Sequence, residues 1–380
     1  MVPLMRTPLS TALGLEFPLF AFSHCRDVVA AVSRAGGLGV LGAVYFTPEE
    51  LETELRWIDE HVDGKPYGVD VVMPASVSTS VSEVSAKDSA RTSMEETLKS
   101  YIPDRHREFV EEVLDKYEVP SLPPDADHSH QLLGWTDATA RPQVEVALDH
   151  PIALLASALG PLPADIVELA HRNDVRTAGL ASSAHHARKQ VESGVDIIVA
   201  QGTEAGGHTG EISTMVLIPE VVDAVGDTPV LAAGGIGDGR QMAAAMALGA
   251  QGAWTGSIWL TVAEADTDPR VVPKLLAASS RDTVRSRALT GKPARQLRTD
   301  WTDAWEGADS PGPLPMPLQY MLVSEAHRRI ARAGRTELMG MPVGQIVGSM
   351  RDVRPVRDVV YQLIEEYAAA VERLNAITEA

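Results

Sequence analysis

The sequence predicts an α/β protein built on a (β/α)8 barrel, with an insertion after the third strand and a C-terminal helical region. Short apolar runs alternate with segments of helical spacing along most of the chain, a pattern that belongs to a parallel sheet. Eight such units point to a closed barrel rather than a doubly wound open sheet. The polar, glycine-rich stretches fall directly after strands, where ligands bind in this fold.

Residues 15–21 (LEFPLFA) read as the first strand, 26–34 as a helix stopped by Ala35-Gly36-Gly37, and 38–44 as the second strand. Gly37 to Gly42 match the GxGxxG dinucleotide pattern, but this copy follows a helix and enters a strand, the reverse of the fingerprint. Its glycines therefore read as a helix stop and close packing. Thr47-Pro48-Glu49-Glu50 starts the next helix: a threonine cap, a proline at the first helical position and a glutamate to close a capping box. Leu51, Leu55, Ile58 and Val62 share one face of that helix. A third strand follows at 67–73.

From 75 to about 145 the pattern lapses, and this segment is expected to lie over the barrel mouth. Residues 76–93 are rich in Ser, Thr and charge, and 104–117 form a helix with apolar Phe109, Val110, Val113 and Leu114. In the connector at 120–130, Asp125, Asp127, His128 and His130 gather without ligand-pair spacing, so a solvated loop and no metal are expected. Regularity returns with strands at 152–156, 175–180, 196–200, 229–233 and 252–256. Helices at 163–172, 183–193, 213–225 and 238–247 alternate with them. Residues 1–260 are thus expected to form the barrel, and 261–380 a mostly helical cap. The cap's helices are placed at 269–279, 318–333 and 355–378, with a Pro- and Trp-containing loop at 301–317.

At 44% hydrophobic and 22% charged residues, the composition is that of an ordinary soluble globular protein. A net charge of −19 without a basic patch argues against nucleic acid. Cys25 is the single cysteine, which excludes an internal disulfide and fits a reducing cytosol. No charged-then-apolar leader opens the sequence and no run of 18 apolar residues occurs, so a cytoplasmic protein with no membrane partner is expected. The helical third leaves self-association into a homo-oligomer open.

The sixth strand runs into Gln201-Gly202-Thr203-Glu204-Ala205-Gly206-Gly207-His208-Thr209-Gly210. Glycines let the backbone approach a ligand closely, and a histidine there is a candidate acid or base. The alternative is a glycine-rich turn with a solvated histidine. The seventh strand ends in Ala232-Ala233-Gly234-Gly235-Ile236-Gly237-Asp238-Gly239-Arg240, and the eighth in Trp254-Thr255-Gly256-Ser257. Glycine loops after these two strands, beside a helix N-terminus, form the recurring phosphate site of such barrels. Plain strand-to-helix turns are the alternative. With Arg240 the only nearby cation, backbone amides would carry the phosphate, which suits a bound cofactor better than a transferred phosphoryl group.

The ten-residue motif resembles the signature of the nitronate monooxygenase (2-nitropropane dioxygenase-like) flavoproteins. Residues 232–240 resemble their flavin phosphate loop, and Gly291-Lys292-Pro293-Ala294-Arg295 and Gly344-Gln345 their C-terminal segments. The resemblance covers most of the chain outside 75–145. It implies a TIM barrel with a helical lid, non-covalent FMN, and His208 as the catalytic histidine at the flavin face. By position it implies FMN contacts from Gln201, Gly206, Gly207, Gly234, Gly235, Trp254, Thr255, Gly256 and Ser257. Asp70 stands where the family usually has an FMN-contacting Asn. A carboxylate there is expected only to accept hydrogen bonds and to bring negative charge near the ring.

Phe20-Ala21-Phe22-Ser23-His24 departs from the family's usual turn after the first strand. Phe22 and His24 are therefore substrate-pocket candidates, with a surface or capping role as the alternative for His24. Cys25 is expected to pack rather than react. The resemblance implies an FMN-dependent oxidoreductase that takes an alkyl nitronate and O2 to a carbonyl compound and nitrite. NAD(P)H-dependent reduction of quinones or enoyl thioesters on the same fold is one alternative, and a non-catalytic flavin-binding protein the second.

Overall fold

The computed structural model describes residues 5–73, 97–123 and 137–378. The Asp125, Asp127, His128 and His130 cluster and the 76–93 stretch lie outside them. In chain order the strands are β1 (Leu19–Ser23), β2 (Leu38–Gly42), β3 (Tyr67–Val71), β4 (Leu154–Ser157), β5 (Arg176–Ala181), β6 (Ile197–Gln201), β7 (Gly207–His208), β8 (Val230–Ala233), β9 (Gly252–Thr255), β10 (Thr283–Ser286) and β11 (Ala294–Leu297). All but β7, β10 and β11 close into one parallel barrel in the order β1-β2-β3-β4-β5-β6-β8-β9. β9 pairs back onto β1 through Ala253 and Leu19. The expected (β/α)8 architecture is therefore present.

The helices are α1 (Pro8–Ala12), α2 (Arg26–Arg34), α3 (Pro48–His61), α4 (Asp104–Lys116), α5 (Asp137–Leu148), α6 (Ala164–Arg172) and α7 (Ala184–Glu192). They continue with α8 (Thr214–Val225), α9 (Gly239–Ala247), α10 (Val272–Ala277), α11 (Asp300–Glu306), α12 (Leu318–Ala333) and α13 (Val356–Thr378). None of the helices among the described residues is long and apolar enough to cross a membrane.

Alternation along each strand separates two apolar layers. Phe20, Leu38, Val40, Leu154, Val199 and Leu231 fill the barrel interior, while Val69, Val71, Leu155 and Ile198 face Leu51, Leu55 and Ile58 of the helical ring. Each such fully buried side chain contributes about 1.5–3 kcal/mol. On β3 this parity turns Gly68 and Asp70 inward. The α3 start forms as the sequence predicts: the Glu50 amide donates to the Thr47 hydroxyl at 3.1 Å, and the Thr47 amide to the Glu50 carboxylate at 2.8 Å. Gly39 lies so close to α2 that a Cβ would sit 2.2 Å from the Val29 carbonyl oxygen. Gly39 thus serves the close packing of α2 on β2.

Among the helices, three departures from the sequence reading bear on the architecture. α5, expected inside the irregular segment, packs Ala140, Val144 and Ala147 against the barrel core, and the buried Gln143 amide donates to the Ala43 and Phe46 carbonyls. Residues 300–306 are a helix rather than a loop, started by a Thr299–Thr302 capping box. α13 sets Val356, Val360, Leu363 and Ile364 against Val28 and Ala31 of α2 and Met242 and Ala245 of α9. That places the last helix in the barrel's ring, not with the cap. The cap's own core joins Trp301, Trp305, Val323 and Ile330 to Phe109, Val113 and Leu114 of α4. The buried Arg329 side chain fastens α4, donating to Glu111 and to the Val119 and Pro120 carbonyls.

Candidate active site

At the C-terminal ends of the barrel strands lies a cavity of about 550 Å³, within the usual range for small-molecule sites. Phe22, His24, Asp70, Gln201, Gly206, Gly207, His208, Gly234, Gly235, Trp254, Thr255, Gly256 and Ser257 all line it. Residues separated by more than 230 positions in sequence are thus brought into one wall by barrel closure.

His208 owes its position to a strand pairing that the sequence reading did not contain. β7 leaves the barrel after Gly206 and joins β11 antiparallel, with His208 opposite Ala294. Its Nε2 lies 2.7 Å from the Thr290 hydroxyl. Burial, reinforced by the Lys292 charge, lowers the imidazole pKa to about 4, so it is neutral at pH 7. Other motif residues shape the loop. The Glu204 carboxylate accepts from the Thr214 amide and hydroxyl at 2.9 Å each, satisfying the start of α8. The Arg295 guanidinium donates to the Thr203 carbonyl at 2.7 Å, and the Gln345 amide to the Glu204 carbonyl at 2.9 Å.

Asp70 corrects one expectation. Its side chain is buried, and Oδ2 has no hydrogen-bond partner. Burial raises its pKa to about 8, offset only in part by the nearby Ala158 amide. The group is a neutral carboxylic acid at pH 7, so it can donate a hydrogen bond and brings no charge into the cavity.

The loops after β8 and β9 are held by contacts of their own. Arg240 turns away to Asp238, at 2.6 Å. The amides of Gly237 and Asp238 both donate to Gln241 Oε1, and that of Gly239 to Glu366. The first amides at the start of α9 are therefore already satisfied. In the loop ahead of them, Gly234 and Gly235 hold positive φ values of 102° and 69°, a conformation glycine adopts without strain. The Thr255 hydroxyl donates to the Phe20 carbonyl and accepts from Trp259 Nε1, both at 3.0 Å. Its side chain closes the barrel, and the Ser257 hydroxyl accepts from the Gly344 amide at 2.8 Å.

His24 lines the cavity, with Nδ1 2.9 Å from the Gly42 carbonyl. That contact places the proton on Nδ1 and leaves Nε2 as the acceptor, while burial lowers the pKa. Phe22 meets the ring edge-on at 5.1 Å, and Tyr45 lies tilted to it at 4.8 Å. Cys25 is buried and its thiol donates to the Glu264 carbonyl. The lining also includes Thr290, Tyr45, Tyr320, Asp266 and Met341, which sequence reasoning missed. Thr290 directly precedes the Gly291–Arg295 segment and was within reach; Tyr320 looks like any residue of an amphipathic helix. No cluster of metal ligands occurs among the described residues.

The nitronate monooxygenase family model matches residues 18–366. The chain belongs to that family. It is 53% identical to the protein named "Putative monooxygenase Rv1533" of Mycobacterium tuberculosis, over 99% of this chain and 100% of that one. Among solved structures it is similar to a nitroalkane oxidase from Streptomyces ansochromogenes (27% identity, TM-score 0.77, 96% of this chain and 99% of that one). It is also similar to FabK from Thermotoga maritima (26% identity, TM-score 0.71, 98% and 99%). This nitronate monooxygenase family member is accordingly an oxidoreductase on a TIM barrel.

Proposed function

We propose that this protein uses FMN to oxidise alkyl nitronates with O2, giving a carbonyl compound and nitrite. The observation that carries this reading is the neutral His208, anchored by Thr290 in the cavity at the strand ends. The residues present fit a flavin. Gly234, Gly235 and Gly256 would meet its phosphate through backbone amides, Gln201, Gly206 and Gly207 would meet the ring, and the partnerless Oδ2 of Asp70 calls for a polar ligand. When bound, FMN supplies the electron acceptor for the substrate and the route to O2.

His208 then hydrogen-bonds the nitronate oxygens. A group held near pKa 4 is a poor base for the α-proton of a neutral nitroalkane at pH 7, so the substrate arrives already ionised. Phe22, Tyr45, Tyr320 and Met341 supply apolar wall for the alkyl chain. In His208→Asn, FMN content should be retained while nitronate turnover falls about 100-fold, the scale of losing one aimed hydrogen bond at developing charge. Full turnover with flavin bound would remove His208 from the mechanism. Anaerobic bleaching by NAD(P)H but not by a nitronate would replace this reading with the reductase.

A further inference from the structure

Asp70 points inward from β3, between Gly42 of β2 and Ala156 of β4, and neither neighbour brings charge. Its Oδ2 is buried against the cavity with no partner. The titratable groups sharing that cavity are His24 after β1, Tyr45 after β2, His208 on β7, Tyr320 of α12, and Asp266 and Asp268 in the loop at 262–271. Both histidines are held neutral by burial, and the others are phenols or carboxylates. Lys292 makes itself felt at His208 and not at Asp70. No cation therefore stabilises an Asp70 carboxylate, and an uncompensated buried charge gives way to the neutral acid. A carboxylic acid has one O–H to give, and only the contents of the cavity are left to take it.

We propose that Asp70 works as a neutral carboxylic acid that donates its O–H to an acceptor atom of the bound flavin, making cofactor retention depend on pH. This rests on the FMN reading above. Asp70 is here a positioning residue; its proton stays in place through turnover. Because the ligand selects the protonated form, affinity is level below the Asp70 pKa of about 8 and falls about tenfold per pH unit above it.

The test is FMN binding, read by flavin fluorescence quenching from pH 6 to 10, for the wild type, Asp70→Asn and Asp70→Leu. Alongside it, the Asp70 carboxyl 13C signal is followed in the flavin-free protein and assigned by its loss in Asp70→Asn. The wild type should break near pH 8. Asp70→Asn should bind with a flat profile, because an amide N–H donates at every pH. Asp70→Leu should be flat but about tenfold weaker, the scale of one hydrogen bond lost. Flavin-free wild type should show a protonated carboxyl at pH 7. A wild-type profile identical to that of Asp70→Asn, Asp70→Leu binding as tightly as wild type, or an ionised Asp70 at pH 7 would each overturn the proposal. Failure of all three proteins to bind FMN would sink the flavin reading and the acceptor proposed here, while the carboxyl signal still decides the neutral acid.

Discussion

At the open end of the barrel His208 sits in the cavity as a neutral imidazole, whereas at the opposite end His150 sits between two carboxylates. His150 precedes β4, with Nδ1 2.6 Å from Asp59 and Nε2 2.9 Å from Glu52. Burial alone would lower its pKa, but the two carboxylates overturn that and raise it. The Tyr67 hydroxyl donates to the same Asp59 at 2.6 Å. Nearby, Asp196 accepts from the Thr177 amide and hydroxyl and pairs with His171. The closed end spends its polar groups on one another; the open end keeps its two histidines and Asp70 uncharged and, at Asp70, incompletely partnered. That division matches a barrel whose N-terminal face serves stability and whose C-terminal face serves chemistry.

The contrast can be broken experimentally. The largest expected effect is on the structural side: Leu55→Ala, in the fully buried layer between α3 and the strands, should cost about 2–5 kcal/mol in denaturant unfolding, with turnover per folded molecule unchanged. Thr290→Val should do the reverse. Losing the contact that fixes the imidazole should lower nitronate turnover about three- to tenfold, with the unfolding midpoint nearly unmoved.

The closed end should add its own pH dependence of stability. The raised His150 pKa means that its stabilisation is fully present below the unfolded value of about 6.5 and is lost as pH rises through the folded value. Thermal unfolding scans in an Asp70→Asn background, which removes the separate decline that the raised Asp70 pKa adds up to about pH 8, should show Tm declining across that interval and staying level once His150→Gln is added; parallel declines would refute the assignment. The smallest effect belongs to Arg240→Ala. Since this cation is paired with Asp238, FMN affinity should change less than about twofold, far below the effect of a direct phosphate contact.

What the sequence made legible follows from how local each signal is. The start of α3 is written in four adjacent residues, and the strand–glycine–histidine run of residues 197–210 marks its own place after β6. α5 was hidden because Pro142 interrupts a weakly amphipathic segment. β7 and β11 are too short to read alone, and His208 meets Thr290 across 82 positions. The charge state of Asp70 is not legible in the sequence, because it depends on which neighbours surround a carboxyl in the closed barrel, and those come from β2 and β4. Chemistry-bearing residue types could be picked out one by one. Their protonation states could not, because burial is a property of the assembled fold.

The pairing of β7 with β11 sets an order of completion during synthesis. A nascent chain that has emerged as far as residue 260 already carries every barrel strand and His208 itself. It still lacks Thr290, the strand that braces the histidine, and α13, which fills the last position in the helical ring. Such a chain would own its chemical groups without being able to aim them. The aiming of His208 therefore waits for the final third of the polypeptide.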